Sequence, residues 1–262
     1  MGIEKVASAD GASIAIERIG QGKPLLAIHG TGSSRQRWFL SAQALADGRQ
    51  LILMDRRGRG DSSDGATYSI DHEFGDVAAV VAHIGQRLDI LAHSYGALCT
   101  LGAAPRLNLV DNIILYEPPL NPLAPDSDLP DRVEARVKAG DLEGGLRTFL
   151  DLVGVTDAEV AKLRELPNWP QRLTIVPTIP RELRAARTIA FAPDYLGRIA
   201  TRILLMLGSD SPPRFGEAIT LLAKSLPNAQ VGMLPGQKHQ AMDTAPELFV
   251  KAVQAFLDKG QR

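Results

Sequence analysis

The chain has one cysteine, Cys99, in 262 residues, which excludes an intramolecular disulfide and fits a reducing compartment. It has no excess of either charge. Its 29 Lys and Arg against 30 Asp and Glu leave a formal charge of −1, so there is no electrostatic footprint for nucleic acid or an anionic membrane. No apolar run reaches the length of a membrane span, and MGIEKVASADG lacks the apolar segment of a signal peptide. Val6 stands where a myristoylation signal wants Ser or Thr. There is no internal repeat, no low-complexity segment and no Cys/His cluster with ligand spacing, so no metal site is expected. What remains, 45% hydrophobic and 23% charged residues, is the composition of a soluble globular protein, expected to be cytoplasmic.

Short apolar runs alternate with helical patterns, which predicts an α/β architecture with a mostly parallel central sheet and helices on both faces. ASIAIERI (12–19) alternates in period two after the turn Asp10-Gly11, so an antiparallel hairpin opens the chain. PLLAIH (24–29) and LILMD (51–55) are near-continuous apolar runs, as in strands buried on both faces. A helical pattern covers 35–46. Asp71 could cap a second helix over 72–86, with Val77, Val80, Val81 and Ile84 at helical spacing. A strand at 88–92, a helix from 94 to about 104 and a strand at 112–116 follow. Five prolines in 117–130 then break the rhythm. The sequence stays helical to about 198. Strands at 202–207 and 230–234, with helices over 214–226 and from about 245, complete the alternation. The organisation expected is a core of 1–118 and 199–262 with a small helical cap at 119–198.

LDILAHSYGAL (88–98) runs from a buried strand through A-H-S-Y-G into a helix. This matches the nucleophile elbow G-x-S-x-G, with Ala92 for the first glycine. Residues two before and two after Ser94 must be small, because the turn would bring their side chains together. A serine that merely caps a helix is the plainer alternative. AIHGTGSS (27–34) ends an earlier strand. Its backbone can aim an N–H at an oxyanion, so Gly30 and Thr31, with the N–H of Tyr95, are candidate substrate-binding positions. No phosphate-loop pattern follows it. Of the five histidines, His239 in LPGQKHQAM lies on the loop after the last strand and is the candidate base. His29 reads as structural, His93 as pointing away from Ser94, and His72 and His83 as surface residues of one helix.

HGTG after one strand, DRRGRGDSS (55–63) after the next, AHSYG and a late G-x-K-H together resemble the α/β-hydrolase superfamily, in its order and over residues 24–260. The resemblance implies the α/β-hydrolase fold and makes 55–63 a structural loop braced by Asp55 and Arg57; a basic patch is a poor reading, since aspartates nearly balance its arginines. It also implies a triad acid after the strand at 202–207, commonly in G-x-x-D-P. Here that loop reads G-S-D-S-P-P, with Ser211 at the usual position and Asp210 one residue early. Glu117 ends the preceding strand in ILYEPP. Some superfamily members, the fungal zearalenone lactonases among them, take a glutamate from there, and its extra methylene suits a position one strand nearer the serine. Glu117 is favoured, with Asp210 the alternative.

The chemistry expected is acyl transfer to water: Ser94 attacks an ester or lactone carbonyl, His239 moves the proton, and the N–H groups of Thr31 and Tyr95 receive the oxyanion. No cofactor is required. The segment 119–198 holds 11 Lys/Arg and 12 Asp/Glu, so its charge count points to no ionic substrate. Trp38, Trp169 and Phe191 could line a pocket for a small, largely apolar ester or lactone, although each could equally be core. Carbon–carbon bond hydrolysis, lyase or perhydrolase chemistry, or a non-catalytic small-molecule receptor, would use the same scaffold. A homo-oligomer is possible on this sequence, and nothing in it signals one directly.

Overall fold

The apolar runs become strands of one sheet in the computed structural model, which describes residues 2–120 and 127–259. Residues 121–126, part of the proline-rich stretch, lie outside the described residues. β1 (Ile3–Ala7) and β2 (Ser13–Gly20) form the opening hairpin. Gly11 takes φ 87° at its turn, a conformation that favours glycine. β3 (Lys23–Ile28), β4 (Arg49–Met54), β5 (Leu88–His93), β6 (Val110–Tyr116), β7 (Arg202–Gly208) and β8 (Ala229–Leu234) follow. The sheet order is β1-β2-β4-β3-β5-β6-β7-β8. β2 pairs antiparallel to β4, and β3 to β8 are mutually parallel.

Alternate side chains of these strands enter two different cores, as the two-residue period of a strand requires. Leu26, Ile28, Ile52, Ile90, Ile113 and Leu205 pack on one face. Leu25, Ala27, Leu51, Leu91, Ile114 and Met206 pack on the other. The first face is covered by helices α2 (Ile70–Ile84) and α3 (Tyr95–Ala103), and the second by α12 (Pro246–Asp258). Between β3 and β4 the chain makes only a 3₁₀ turn (Arg35–Trp38) and the four-residue α1 (Ala42–Leu45), not the long helix expected over 35–46. The α2 helix starts earlier than expected: the Ser69 hydroxyl caps it by accepting from His72 N, while Asp71 sits in the first turn.

Between β6 and β7 lie α4 (Leu129–Lys138), α5 (Leu142–Leu152), α6 (Asp157–Arg164), α7 (Trp169–Ile175), α8 (Ile179–Thr188) and α9 (Pro193–Leu196). This insertion has its own apolar cluster of Val133, Leu146, Leu150, Val176 and Ile179. The cluster also takes in Phe215 from α10 (Pro213–Ser225), so the insertion is packed onto the β7 side of the sheet. The last short helix, α11 (Ala241–Thr244), precedes α12. Among the described residues, no helix is long and apolar enough to cross a membrane.

Candidate active site

Ser94 follows β5 with φ 53° and ψ −120°, a strained conformation for a residue with a side chain. Backbone bonds hold it there: its N–H donates to Tyr116 O at 2.8 Å and its C=O accepts from Ala97 N at 2.9 Å. Its hydroxyl makes no helix-capping bond, which removes the plainer reading of this serine. The small residues around it are sterically required. A Cβ on Gly96 would sit 2.6 Å from His29 O and 2.7 Å from Ile28 O, and one on Gly30 would sit 2.8 Å from Ser94 Cβ. Gly30 thus lets the β3 loop approach the serine. Tyr95 opens α3, where its N–H is one of the free donors of a helix N-terminus. Thr31 borders the space in front of Ser94.

His239 and Glu117 meet across the sheet ends. His239 Nδ1 donates to Glu117 Oε2 at 2.6 Å, and the pair is almost wholly buried. The other oxygen, Oε1, accepts from Gly208 N at 2.8 Å and from Ser211 Oγ at 2.5 Å. Glu117 takes φ 48° just past β6, and its N–H donates to Met206 O at 3.1 Å. With Nδ1–H committed to the carboxylate, Nε2 is the ring nitrogen left to exchange a proton. Phe215 stacks on the ring at 4.4 Å between centroids. Asp210 is not at the histidine: it is exposed, and its carboxylate accepts from Ser209 Oγ at 2.7 Å. Ser211, at the position where the family pattern places aspartate, donates to Glu117 instead.

The space over Ser94 has two lobes. The polar lobe, about 10 Å³, is bordered by Ser33, Arg37, His93, Arg172, His239 and Gln240. The apolar lobe, about 20 Å³, is bordered by Leu152, Val153, Leu183, Ala186 and Phe215, with Pro119, Tyr95 and Arg214. Phe149, Thr31 and Ser94 belong to both. Each lobe holds about one water. Beyond Gln240 opens a wider cleft of about 480 Å³, between α6 and the His239 loop.

Trp38, Trp169 and Phe191, the aromatic residues expected to line a pocket, do not border these lobes. Trp38 is fully buried in the α12-side core, 6.2 Å from Phe249. Trp169 belongs to the insertion's own cluster, and Phe191 stacks with Tyr195 beside a different cleft. His93 also differs from expectation. Its ring lies 4.6 Å from that of His239, its Nε2 donates to His239 O at 3.0 Å, and among the described residues its Nδ1 has no partner. Burial, with the nearby His239 and Arg37, holds it well below the usual histidine range, so it is neutral. His29 is structural in form: Nδ1 donates to Gly30 O at 2.8 Å and Nε2 accepts from Arg56 N at 3.1 Å.

The 55–63 loop supports the site from beneath. Asp55 accepts from the N–H groups of Arg35 (2.7 Å) and Asp61 (3.0 Å), while Arg57 pairs with Asp76 and Asp10, each at 2.7 Å. Arg56 makes a two-point pair with Glu73 at 2.6 and 2.7 Å, and its guanidinium lies 4.5 Å from the Tyr95 ring centroid. Arg56 and Arg59 both pair with Glu182 of α8, so buried charges tie the insertion to the loop below Tyr95. Burial alone would raise the Glu73 carboxyl; Arg56 and Arg59 overcome it and hold it at about 2.

A strained serine at a strand-to-helix turn, bordering one space with a carboxylate-bound histidine, matches the parts of nucleophilic acyl-transfer sites. The alpha/beta hydrolase family model matches residues 25–252. The chain belongs to that family and, at that level of description, is a hydrolase. It is 25% identical over 247 residues to the (E)-2-((N-methylformamido)methylene)succinate hydrolase of Acinetobacter baylyi, covering 91% of this chain and 92% of that one. A non-heme haloperoxidase of Rhodococcus erythropolis is 38% identical over 95 residues, 35% of this chain and 34% of that protein. The crystal structure of an alpha/beta hydrolase from Sphaerobacter thermophilus matches with a TM-score of 0.83 at 29% identity, over 97% of this chain and 100% of that one.

Proposed function

We propose that the chain is a serine hydrolase that cleaves a carboxylic ester or lactone through an acyl-enzyme. In this reading Ser94 is the nucleophile, His239 the base and Glu117 the acid. Ser94 Oγ attacks the carbonyl while His239 Nε2 takes its proton, and the N–H groups of Thr31 and Tyr95 receive the oxyanion. The imidazolium then gives its proton to the leaving oxygen. Water, activated by the same nitrogen, cleaves the acyl-serine. The observation that carries this reading is the 2.6 Å contact from His239 Nδ1 to Glu117 Oε2, which fixes the tautomer that a base toward Ser94 needs. The insertion 119–198 acts as a cap, and its apolar lobe takes the hydrocarbon part of the substrate. The named substrate of the Acinetobacter relative contains an amide, so amide-type acyl groups belong among the compounds to try.

The test is hydrolysis of p-nitrophenyl acetate, butyrate and octanoate by wild type and Ser94→Ala. Turnover by wild type, falling by roughly 10⁴ to 10⁶ in kcat in the variant, is the expected result. Equal activity in both proteins removes Ser94 as the nucleophile. Inactivity of both moves lyase, perhydrolase or receptor roles ahead, the haloperoxidase likeness making halide-dependent peroxidation the next assay.

A further inference from the structure

Two arginines that border the space over Ser94 have no carboxylate within 4.0 Å among the described residues, the half-buried Arg214 and Arg172, and of the two only Arg172 is buried. Arg172 reaches the polar lobe from α7 of the insertion and is 4% exposed. Among the described residues its Nε and Nη1 have no hydrogen-bond partner, and no carboxylate lies within 4.0 Å of its guanidinium. Arg37 in the same lobe is answered: its Nη2 lies 2.7 Å from Asp243 Oδ2 and donates to Gln240 Oε1. Two guanidiniums against one carboxylate leave the lobe with one excess positive charge. Burial, and then Arg37, push Arg172 down to about 10, with Asp243 opposing, so it is still protonated at neutral pH. A buried cation without a counter-ion is costly, and a protein that places one against its reactive serine gains if a ligand supplies the missing anion.

We propose that Arg172 binds a carboxylate carried by the substrate, so that the enzyme prefers anionic acyl compounds to neutral ones; this rests on the reading of Ser94 as nucleophile. The planar fork of an arginine matches a carboxylate at two points. The Ser33 hydroxyl, whose contact to Ser34 O is a long 3.5 Å, is a further donor in the lobe. His93 is not a carboxylate partner: its Nε2–H is used, and its open Nδ1 is an acceptor, suited to a substrate N–H or a water. The scissile carbonyl then lies over Ser94, between the anion in the polar lobe and hydrocarbon in the apolar lobe. Because each lobe as it stands holds about one water, the insertion that carries Arg172 has to shift from the sheet that carries Ser94 to admit such a substrate. The expectation of a largely apolar substrate is thereby revised to one with an apolar part and an anionic end.

The experiment compares monoethyl succinate with ethyl pentanoate, followed by pH-stat, for wild type, Arg172→Gln and Arg172→Lys. Wild type should favour the anionic ester in kcat/KM by tenfold or more. Arg172→Gln should lose ten- to a hundredfold on that ester while changing little on the neutral one, and Arg172→Lys should recover part of the loss. In parallel, succinate is titrated against the Tm of Ser94→Ala with and without Arg172→Gln. A rise that requires Arg172 supports the anion site whether or not either ester is cleaved. Should neither ester turn over while that rise is seen, the anion site survives and the ester-cleaving reading falls. Equal use of both esters with a uniform effect of Arg172→Gln overturns the proposal and leaves the hydrolase reading standing. A Tm of the Ser94→Ala protein indifferent to succinate also overturns it, even if Arg172→Gln fails to fold.

Discussion

Replacing Glu117 by Gln changes one atom and should abolish most turnover. In the native site Oε1 accepts two hydrogen bonds, from Gly208 N and Ser211 Oγ, and Oε2 accepts one from His239 Nδ1. A glutamine has one acceptor oxygen for these two places. With its oxygen toward Gly208 and Ser211, its NH₂ faces Nδ1, which must then become an acceptor. The ring proton moves to Nε2, the nitrogen that takes the serine proton in the proposed reaction. With the amide flipped, the tautomer is right, but NH₂ meets the Gly208 N–H, and an unmet buried donor costs about 1–3 kcal/mol. The first arrangement therefore dominates, and neither one carries the negative charge that stabilises an imidazolium. A fall in kcat of roughly 10⁴ is expected, as when a triad acid is replaced by its amide. Asp210→Asn, on an exposed loop with its carboxylate bonded to Ser209, should stay within a factor of about two. Both variants are to be assayed on the best p-nitrophenyl ester, with near-UV circular dichroism as a check on folding. Glu117→Gln with more than a tenth of wild-type kcat, or Asp210→Asn with the larger loss, would sink the assignment.

Two further outcomes test the scaffold. Gly96→Ala forces a Cβ to 2.6 and 2.7 Å from two backbone oxygens and should destabilise by about 1–3 kcal/mol in urea unfolding. Gly75→Ala in α2 meets nothing within 4 Å and should stabilise by about 0.5–1 kcal/mol; reversal of that order refutes the steric account of the elbow. Glu73 is ionised in the fold down to about pH 2, against an ordinary carboxyl value near 4.5. A depressed folded value gives stability that is present above 4.5 and lost as pH falls toward 2. Between pH 4.5 and 3 this group should account for about 2 kcal/mol, which urea titrations of wild type and Glu73→Gln would read as a smaller pH dependence in the variant. Parallel curves for the two proteins would contradict it.

The backbone of the site was legible because its signals are local. Ala92, Ser94 and Gly96 are two apart at the end of an apolar run, and only a sharp strand-to-helix turn needs that spacing. The late His239 was found the same way, by its place after the final strand. Side-chain surroundings were not legible, since they are set by elements far apart in the chain. Trp38 looked like a pocket residue because it follows the β3 loop, but the short 3₁₀ turn rotates it into the α12-side core. His93 was expected to point away from its neighbour; the lone signal against this was its alternation along β5, which sends it toward the His239 side. Arg172 was one of eleven cations nearly balanced by twelve anions. A sum over a segment cannot show which guanidinium is left unpaired after the others have found partners.

Backbone strain gives a separate reason to place the chemistry here. Among the described residues, the non-glycine positions at positive φ are Ser94 and Glu117. Such positions cost about 1–3 kcal/mol each and persist where surrounding structure over-determines them. Both lie one residue past a strand, and in both the N–H still bonds to the neighbouring strand's chain, at Tyr116 O and Met206 O. The sheet ladder therefore holds the nitrogen while the chain turns away at the α-carbon, which aims each side chain off the sheet's carboxyl edge. Ser94 follows β5, Glu117 β6, the Gly208 and Ser211 donors end or follow β7, and His239 follows β8. Three adjacent strands thus deliver the hydrogen-bonded array of Glu117, the Gly208 and Ser211 donors and His239, and the strand before them delivers Ser94 to the space that His239 borders. A capping serine or a strand-end ion pair would need neither the strain nor that order; a nucleophile, its base and a carboxylate to orient the base need both.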